Sequence, residues 1–296
     1  MPLRRKVIAA LSGGLGNQMF QFAAARAFAC RVDLPLELAL DAYQYYKQHN
    51  GFELHSVFPR TRSFEARDSG WLAPVVARYR LISSKLGIAP FSNSEYFFES
   101  SPAYSIDIQK IGVRDVVMYG YWQDDNYFKS IREELLADLC FTMPEDPQNL
   151  ELLNQIEYPE SVSVHVRRGD YVSNKSAASV HGVLSLDYYR RAIDLIRSQT
   201  NDPKFYIFSD DVSYCRENIL PLVPEATIVN HNTGRKSAYD MFLMSKCRFN
   251  IIANSSFSWW AGWLNNCPDS QVIAPVKWYA DSHKENMILP DSWVRI

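Results

Sequence analysis

Ser161-Val162-Ser163-Val164-His165-Val166-Arg167-Arg168-Gly169-Asp170-Tyr171 changes character half-way along its length. The first residues alternate serine with valine, the period-2 pattern of a strand approaching its C-terminal end. Two arginines, a histidine and an aspartate then arrive where strand must give way to loop. In open α/β sheets the loops at the carboxyl ends of the strands surround the ligand crevice. A guanidinium is planar, permanently charged and able to grip two oxygens at once, so tandem arginines at that edge suit a diphosphate. A nearby carboxylate can orient one guanidinium and leave the other for a ligand. A surface salt-bridge cluster is the plainer alternative for the segment taken alone.

Downstream, the pattern repeats regularly. Strands are expected at 161–166, 204–209, 226–230, 249–253 and 271–274, with helices at 186–199, 212–219, 236–246 and 256–265 between them. Such βα alternation predicts a parallel sheet with helices on both faces. The first half is less regular, mixing helix, aromatic-rich loops and a few strands. Met143-Pro144-Glu145-Asp146-Pro147-Gln148 starts a connecting helix, and domains are expected at 1–155 and 156–296. Trp71 to Ile82 reads as a basic amphipathic helix, either an ordinary surface helix or a membrane-docking one.

Three further segments carry chemistry. Lys6 to Ala10 is a plausible first strand, followed by Leu11-Ser12-Gly13-Gly14-Leu15-Gly16-Asn17-Gln18-Met19-Phe20 and then a run of strong helix formers. A strand, glycine turn and helix in that order point backbone N–H groups at an anion. The third glycine of a dinucleotide fingerprint falls on Met19, and there is no G-K-[ST] phosphate loop. Lys204 to Ser209 ends in Asp210-Asp211, which could cap the next helix, accept from a sugar hydroxyl or a base N–H, or hold a metal. A metal would need more ligands than these two. Finally, a buried strand from Phe249 runs into Asn254-Ser255-Ser256-Phe257-Ser258-Trp259-Trp260, where hydroxyls and N–H groups can cap a helix or serve phosphate oxygens. Asp240, near the start of the preceding helix, is a dipole partner or a ligand contact.

Composition bounds the function. The 296 residues suffice for two domains, 47% are hydrophobic and 22% charged, and the net charge of −2 offers no footprint for nucleic acid. No apolar run is long enough to span a membrane and no secretory signal is read at the start. Five cysteines without C-x-x-C spacing point to reduced thiols in a cytoplasm, against zinc or a disulfide framework.

Gly13 to Gln21, His165 to Tyr171, His181 to Tyr189, Phe208 to Asp211 and Asn254 to Trp260, in that order, resemble glycosyltransferase family eleven, the α-1,2-fucosyltransferases. Weaker likeness is found at Gly51-Phe52-Glu53-Leu54 and Tyr119-Gly120-Tyr121-Trp122-Gln123. The resemblance implies a GT-B-like architecture, two Rossmann-like α/β domains facing across a cleft. On it the N-terminal domain binds most of the acceptor and the C-terminal domain binds GDP-fucose. The reaction implied is inverting transfer of L-fucose from GDP-β-L-fucose to a galactoside hydroxyl, as an α-1,2 linkage on a cell-surface or secreted glycan precursor. Another linkage or GDP-sugar is the alternative within enzymes. Arg167 is the expected stabiliser of departing GDP, assisted by Ser255, Ser256 and Phe257. The resemblance adds Gly14, Leu15, Gly16, Asn17, His165 and Asp240 as donor contacts, with His165 and Asp240 at the guanine. His181 is the candidate general base, although a capping or acceptor-binding role suits it equally; Asp124, Asp125 and Asp170 are weaker candidates. No metal or other cofactor is expected, nor a nucleic-acid partner. The acceptor is expected to carry terminal galactose, lipid-linked forms included, with the enzyme cytoplasmic and peripheral membrane contact admitted. A glycan-binding protein would not need a diphosphate site, and a dinucleotide oxidoreductase leaves the Arg-Arg and Ser-Ser segments unexplained.

Overall fold

The computed structural model describes residues 5–44, 49–68, 70, 95–98, 115–157, 159–169, 182–279 and 288–296. The chain divides into two compact units, Met1–Thr142 and Met143–Ile296. The division falls earlier than the 155/156 boundary expected from sequence. Its cause is the helix Pro147–Ile156, which is capped by Asp146 and tied to the second unit by Asn149 and by the bond from Tyr206 Oη to the Gln155 carbonyl.

In the first unit, strands β1 (Val7–Ala10), β2 (Leu36–Ala39), β3 (Glu65–Arg67), β4 (Glu95–Phe98) and β5 (Val116–Tyr119) form a parallel sheet in the order β3-β2-β1-β5-β4. Helix α1 (Leu15–Val32) starts directly after the glycine turn and is buried along most of its length. This half is therefore more regular than its sequence suggests. The strands are short, and β2 carries the buried Glu37, held by Lys6 Nζ at 2.5 Å and Arg67 Nε at 2.8 Å. A charge inside a four-residue strand breaks the apolar pattern by which strands are recognised.

The second unit holds β6 (Ser161–Val166), β7 (Lys204–Ser209), β8 (Thr227–Val229), β9 (Phe249–Ile251), β10 (Gln271–Ala274) and β11 (Val294–Arg295), all parallel, in the order β11-β10-β9-β6-β7-β8. Counted from its first strand this is 3-2-1-4-5-6, the Rossmann order, with the reversal of strand order between β6 and β9. In the first unit the reversal lies between β1 and β5.

The expected strands and helices of this unit are present. One differs in kind: the helix read over 212–219 is a turn at Val212–Tyr214 that widens into a π-turn over Cys215–Ile219. Val162, Val164 and Val166 face a core built with Tyr188, Tyr189, Ala192, Ile193 and Ile196 of the helix Leu186–Gln199. The intervening Ser161, Ser163 and His165 are also buried, on the opposite face as strand geometry requires. Ser163 is satisfied there by Asn250 Nδ2 at 2.7 Å. His165 ends that polar row at the carboxyl edge of the central strand.

Candidate active site

Asp210 organises the loop that leaves β6. One carboxylate oxygen accepts from the Arg168 backbone N–H at 2.9 Å; the other accepts from Gly169 N–H at 3.0 Å and from Arg167 Nη1 at 2.8 Å. A Cβ at Gly169 would lie 2.7 Å from Asp210 Oδ2, so the loop closes over the carboxylate only because residue 169 has no side chain. Asp211 accepts from Tyr214 N–H at 3.0 Å, capping the next turn, and from Arg168 Nε at 3.2 Å. The Arg168 guanidinium also sits 3.6 Å over the Tyr214 ring.

The tandem arginines thus pair with different carboxylates. Arg168 is held by Asp211 and an aromatic face and Arg167 by Asp210, and both pairs reach solvent, with side chains 21% and 34% exposed in the first and 27% and 26% in the second. The orienting carboxylates, Asp210 and Asp211, directly follow β7. Asp170, whose neighbourhood suggested it for that task, lies outside the described residues, as does His181. The basic segment 71–82 lies outside them too.

His165 is buried with its ring centroid 5.9 Å from that of Phe257. Its Nδ1 has no hydrogen-bond partner among the described residues. Burial lowers its pKa to about 4; the Asp210 charge opposes this and Arg167 reinforces it. The imidazole is therefore neutral at physiological pH, one nitrogen a donor and the other an acceptor. Phe257 belongs to the helix Ser256–Trp263, whose N-terminus points from the end of β9 and is capped by Ser255 Oγ accepting from Phe257 N–H at 3.4 Å. Trp259, Trp260 and Trp263 of this helix are buried, as core packing requires. His165, Arg167, Ser255, Ser256 and Phe257 accordingly flank the β6/β9 switch point, where α/β sheets bind ligands.

Asp240 lies in the helix Ala238–Met244. Burial raises its carboxyl pKa to about 7, against the opposing hydrogen bond from Asn232 Nδ2 at 2.8 Å.

The first unit carries its own constellation at the β1/β5 switch. Gly13 has φ of +78°, a region few side chains tolerate, and a Cβ there would meet Asn17 Nδ2 at 2.8 Å. Gln18 and Gln21, overlooked in the sequence reading, fix this turn. Gln18 Nε2 donates to the carbonyls of Gly13 (3.1 Å) and Gly51 (2.8 Å), and its Oε1 accepts from the N–H groups of Glu53 (2.9 Å) and Leu54 (3.2 Å). Gln21 Oε1 accepts from Ser12 N–H at 2.9 Å while its Nε2 donates to the Gly120 carbonyl at 3.0 Å. Gln123 Nε2 donates to Asn17 Oδ1 at 2.9 Å. Two glutamines inside an otherwise apolar buried helix were the available signal. They join the glycine turn to the weaker motifs at 51–54 and 119–123. Between those last residues Trp122 is buried with φ of +57°, a strained conformation for a bulky side chain. Asp124, weighed as a base, instead caps the following turn by accepting from Asn126 N–H and Nδ2, both at 2.9 Å.

The family model for glycosyl transferase family 11 matches residues 75–296. The chain is 35% identical over 297 residues to the Alpha-1,2-colitosyltransferase of Escherichia coli, covering 98% of each. It is 29% identical over 154 residues to Galactoside 2-alpha-L-fucosyltransferase SEC1 of Bos taurus, covering 50% of this chain and 42% of that one. Among solved structures, fucosyltransferase NodZ from Bradyrhizobium is similar in fold, with a TM-score of 0.54 at 15% identity over 87% of this chain and 92% of that one. With two Rossmann-like sheets, this likeness makes the fold class the GT-B-like one expected. The extent and identity of the match settle the family: this chain belongs to glycosyltransferase family 11, enzymes that pass a sugar from a nucleotide donor to a glycan acceptor.

Proposed function

We propose that the protein moves L-fucose from GDP-β-L-fucose to a galactoside hydroxyl with inversion, forming an α-1,2 linkage on a glycan precursor. The observation that carries this is the Arg167–Asp210 pair beside buried His165 at the β6/β9 switch point. Displacement at the sugar carbon leaves negative charge on the departing GDP. Arg167, oriented by Asp210, meets that charge, and the N–H groups at Ser256 and Phe257 and the hydroxyls of Ser255 and Ser256 assist. Donors preorganised toward developing charge need no reorganisation as the bond breaks. His165 and Asp240 contact the guanine, and Gly14, Leu15, Gly16 and Asn17 supply further donor contacts from the first unit, which otherwise takes the acceptor. His181 is retained as the group that receives the acceptor proton.

We also propose that no metal takes part: Asp210 and Asp211 are held by arginines and backbone N–H groups. The five free cysteines, two of them buried, support a cytoplasmic enzyme working on a precursor. A second donor is favoured by one finding, the full-length relative named for colitose. Colitose lacks the 3-hydroxyl of fucose, so both GDP-sugars present the same nucleotide to the groups listed above. A donor screen with GDP-fucose, GDP-colitose, GDP-mannose and UDP-galactose in excess EDTA, with released nucleotide and product linkage as readouts, tests the reading. GDP-fucose is expected to be turned over fastest onto a terminal galactoside. Preference for GDP-colitose would reassign the donor, and an absolute need for Mn²⁺ or Mg²⁺ would remove the metal-free account.

A further inference from the structure

Asn149 and Asn232 face each other as a closed amide pair. Asn149 Nδ2 donates to Asn232 Oδ1 at 2.9 Å, and Asn232 Nδ2 donates to Asn149 Oδ1 at 2.9 Å. Each amide has a second N–H, and each of those reaches a carboxylate. Asn149 Nδ2 donates to Asp146 Oδ2 at 2.9 Å, and Asn232 Nδ2 donates to Asp240 Oδ1 at 2.8 Å. His231 Nε2 lies 2.9 Å from Asn149 Oδ1, whose two lone pairs are then both used. Asn149 is fully buried and Asn232 is 8% exposed.

The orientation of both amides follows from this arrangement. An amide offers two donors on one side and an acceptor on the other. Flipping Asn232 would turn its oxygen toward the Asp240 carboxylate and lose the bonds exchanged with Asn149. Flipping Asn149 would turn its oxygen toward Asp146. Asp146 is itself fixed, because it caps the helix Pro147–Ile156 through Asn149 N–H at 3.0 Å. The donors therefore point outward from the amide pair, to the helix cap Asp146 at one end and to Asp240 at the other.

We infer that Asn232, held by Asn149 and Asp146, is a positioning residue that sets the direction of the Asp240 carboxyl toward the nucleotide base. This rests on the proposal that Asp240 contacts the guanine. With Oδ1 occupied by Asn232, the carboxyl cannot turn without losing a bond, so its second oxygen is presented in one direction only. Asn232 touches no ligand on this account and acts through Asp240.

The test compares wild type, Asp240→Asn, Asn232→Leu, the isosteric Asn232→Asp and the double variant Asp240→Asn/Asn232→Leu in the full-length protein. GDP and UDP binding are measured by calorimetry, donor KM and kcat by nucleotide release, and folding by thermal melting. Asn232→Leu should weaken GDP about tenfold, the scale of one lost hydrogen bond to a charged group, and Asn232→Asp, which sets a second carboxylate against Asp240, at least as much. Donor KM should rise in parallel, while kcat stays within about twofold and UDP affinity is unchanged. The double variant should bind GDP no worse than Asp240→Asn alone, because residues acting in series are not additive. Should Asn232→Leu not fold, Asn232→Asp, which keeps the shape, carries the comparison alone and in its own double variant with Asp240→Asn. Normal GDP binding in the Asn232 variants beside weak binding in Asp240→Asn would overturn the inference and leave the guanine contact standing. Additive losses, or equal losses of GDP and UDP with a fall in kcat, would also overturn it. Normal GDP binding in Asp240→Asn would remove the guanine contact, and the inference with it.

Discussion

Asp240→Asn should make the protein more stable at alkaline pH while making it a worse nucleotide binder. The carboxyl pKa is raised from 3.8 to about 7, chiefly by burial. A raised carboxyl pKa means that folding favours the protonated form. Its stabilising contribution is therefore complete below the unfolded value, falls as pH rises from there, and is gone above the folded value. The shift spans about 3 units at about 1.4 kcal/mol each, an upper bound of about 4 kcal/mol that the charged side chain costs above neutrality. Partial access to water reduces this, and about 2 kcal/mol is the working figure. Asparagine keeps the shape and still accepts from Asn232 Nδ2, but it never ionises. At about 2–4 °C per kcal/mol for a domain of this size, ligand-free Asp240→Asn should melt about 4–8 °C above wild type near pH 8. Near pH 4 the two should nearly coincide. His165, whose pKa is depressed by burial, contributes a slope of opposite sign, but it is common to both proteins and cancels in the difference. The assay is thermal melting of both proteins across that range without nucleotide. A difference in melting temperature that does not grow with pH would show that Asp240 is not held as a buried, reluctantly charged carboxyl.

Arg167→Ala should fold normally and lose about 10²–10³ in kcat, with Arg167→Lys close behind because a point charge replaces a planar fork; turnover above about a tenth of wild type would discount the role. Gly169→Ala places a methyl 2.7 Å from Asp210 Oδ2, so it should displace the carboxylate and release Arg167; kinetics close to wild type would contradict the loop geometry. Gln18→Leu strands two N–H groups and two carbonyls at the glycine turn, and at about 1–3 kcal/mol for each unpaired buried group it should destabilise the first unit by several kcal/mol in urea titration.

How far the sequence could be read depended on which interactions are local. The second unit was legible nearly strand by strand, because strand-like runs of four to six residues alternate with helices that carry ordinary caps such as Ser185 and Asp146. The first unit was not, since Glu37 interrupts β2 and Glu65–Arg67 is exposed on alternate residues. Glu37 becomes intelligible only with Lys6 and Arg67, which the fold brings from 31 and 30 residues away. At the site, Arg167 and His165 could be named from residue type and place on a strand end. The partner of Arg167 could not be assigned with the same security, because Asp170 is closer in sequence while Asp210 is adjacent through the pairing of β6 with β7. Gln18, Gln21, Asn149 and Asn232 were missed for a related reason. A neutral amide in a helix or loop is commonplace on a protein surface, and only burial with every N–H engaged distinguishes these four.

The polar groups at the edge of the second sheet fall into two kinds, and the distinction bears on which of them meet substrate. Asp210, Asp211 and Arg168 are bonded to neighbouring protein atoms, at 2.8–3.2 Å. Groups so engaged build a loop. His165 Nδ1 is different, being buried without a partner among the described residues, at a cost of about 1–3 kcal/mol for such an atom. Asp240 is half-buried, and the one amide bond from Asn232 does not offset the burial that raises its carboxyl pKa. Folding alone gives no reason to keep either cost, and apolar side chains of similar shape would remove both. On the proposed guanine contact, GDP would relieve both, because guanine offers an acceptor or donor to a neutral imidazole and N–H groups to a carboxylate. GDP should therefore stabilise the protein more through His165 and Asp240 than a count of its contacts suggests, because binding both forms hydrogen bonds and relieves the penalty already present without ligand.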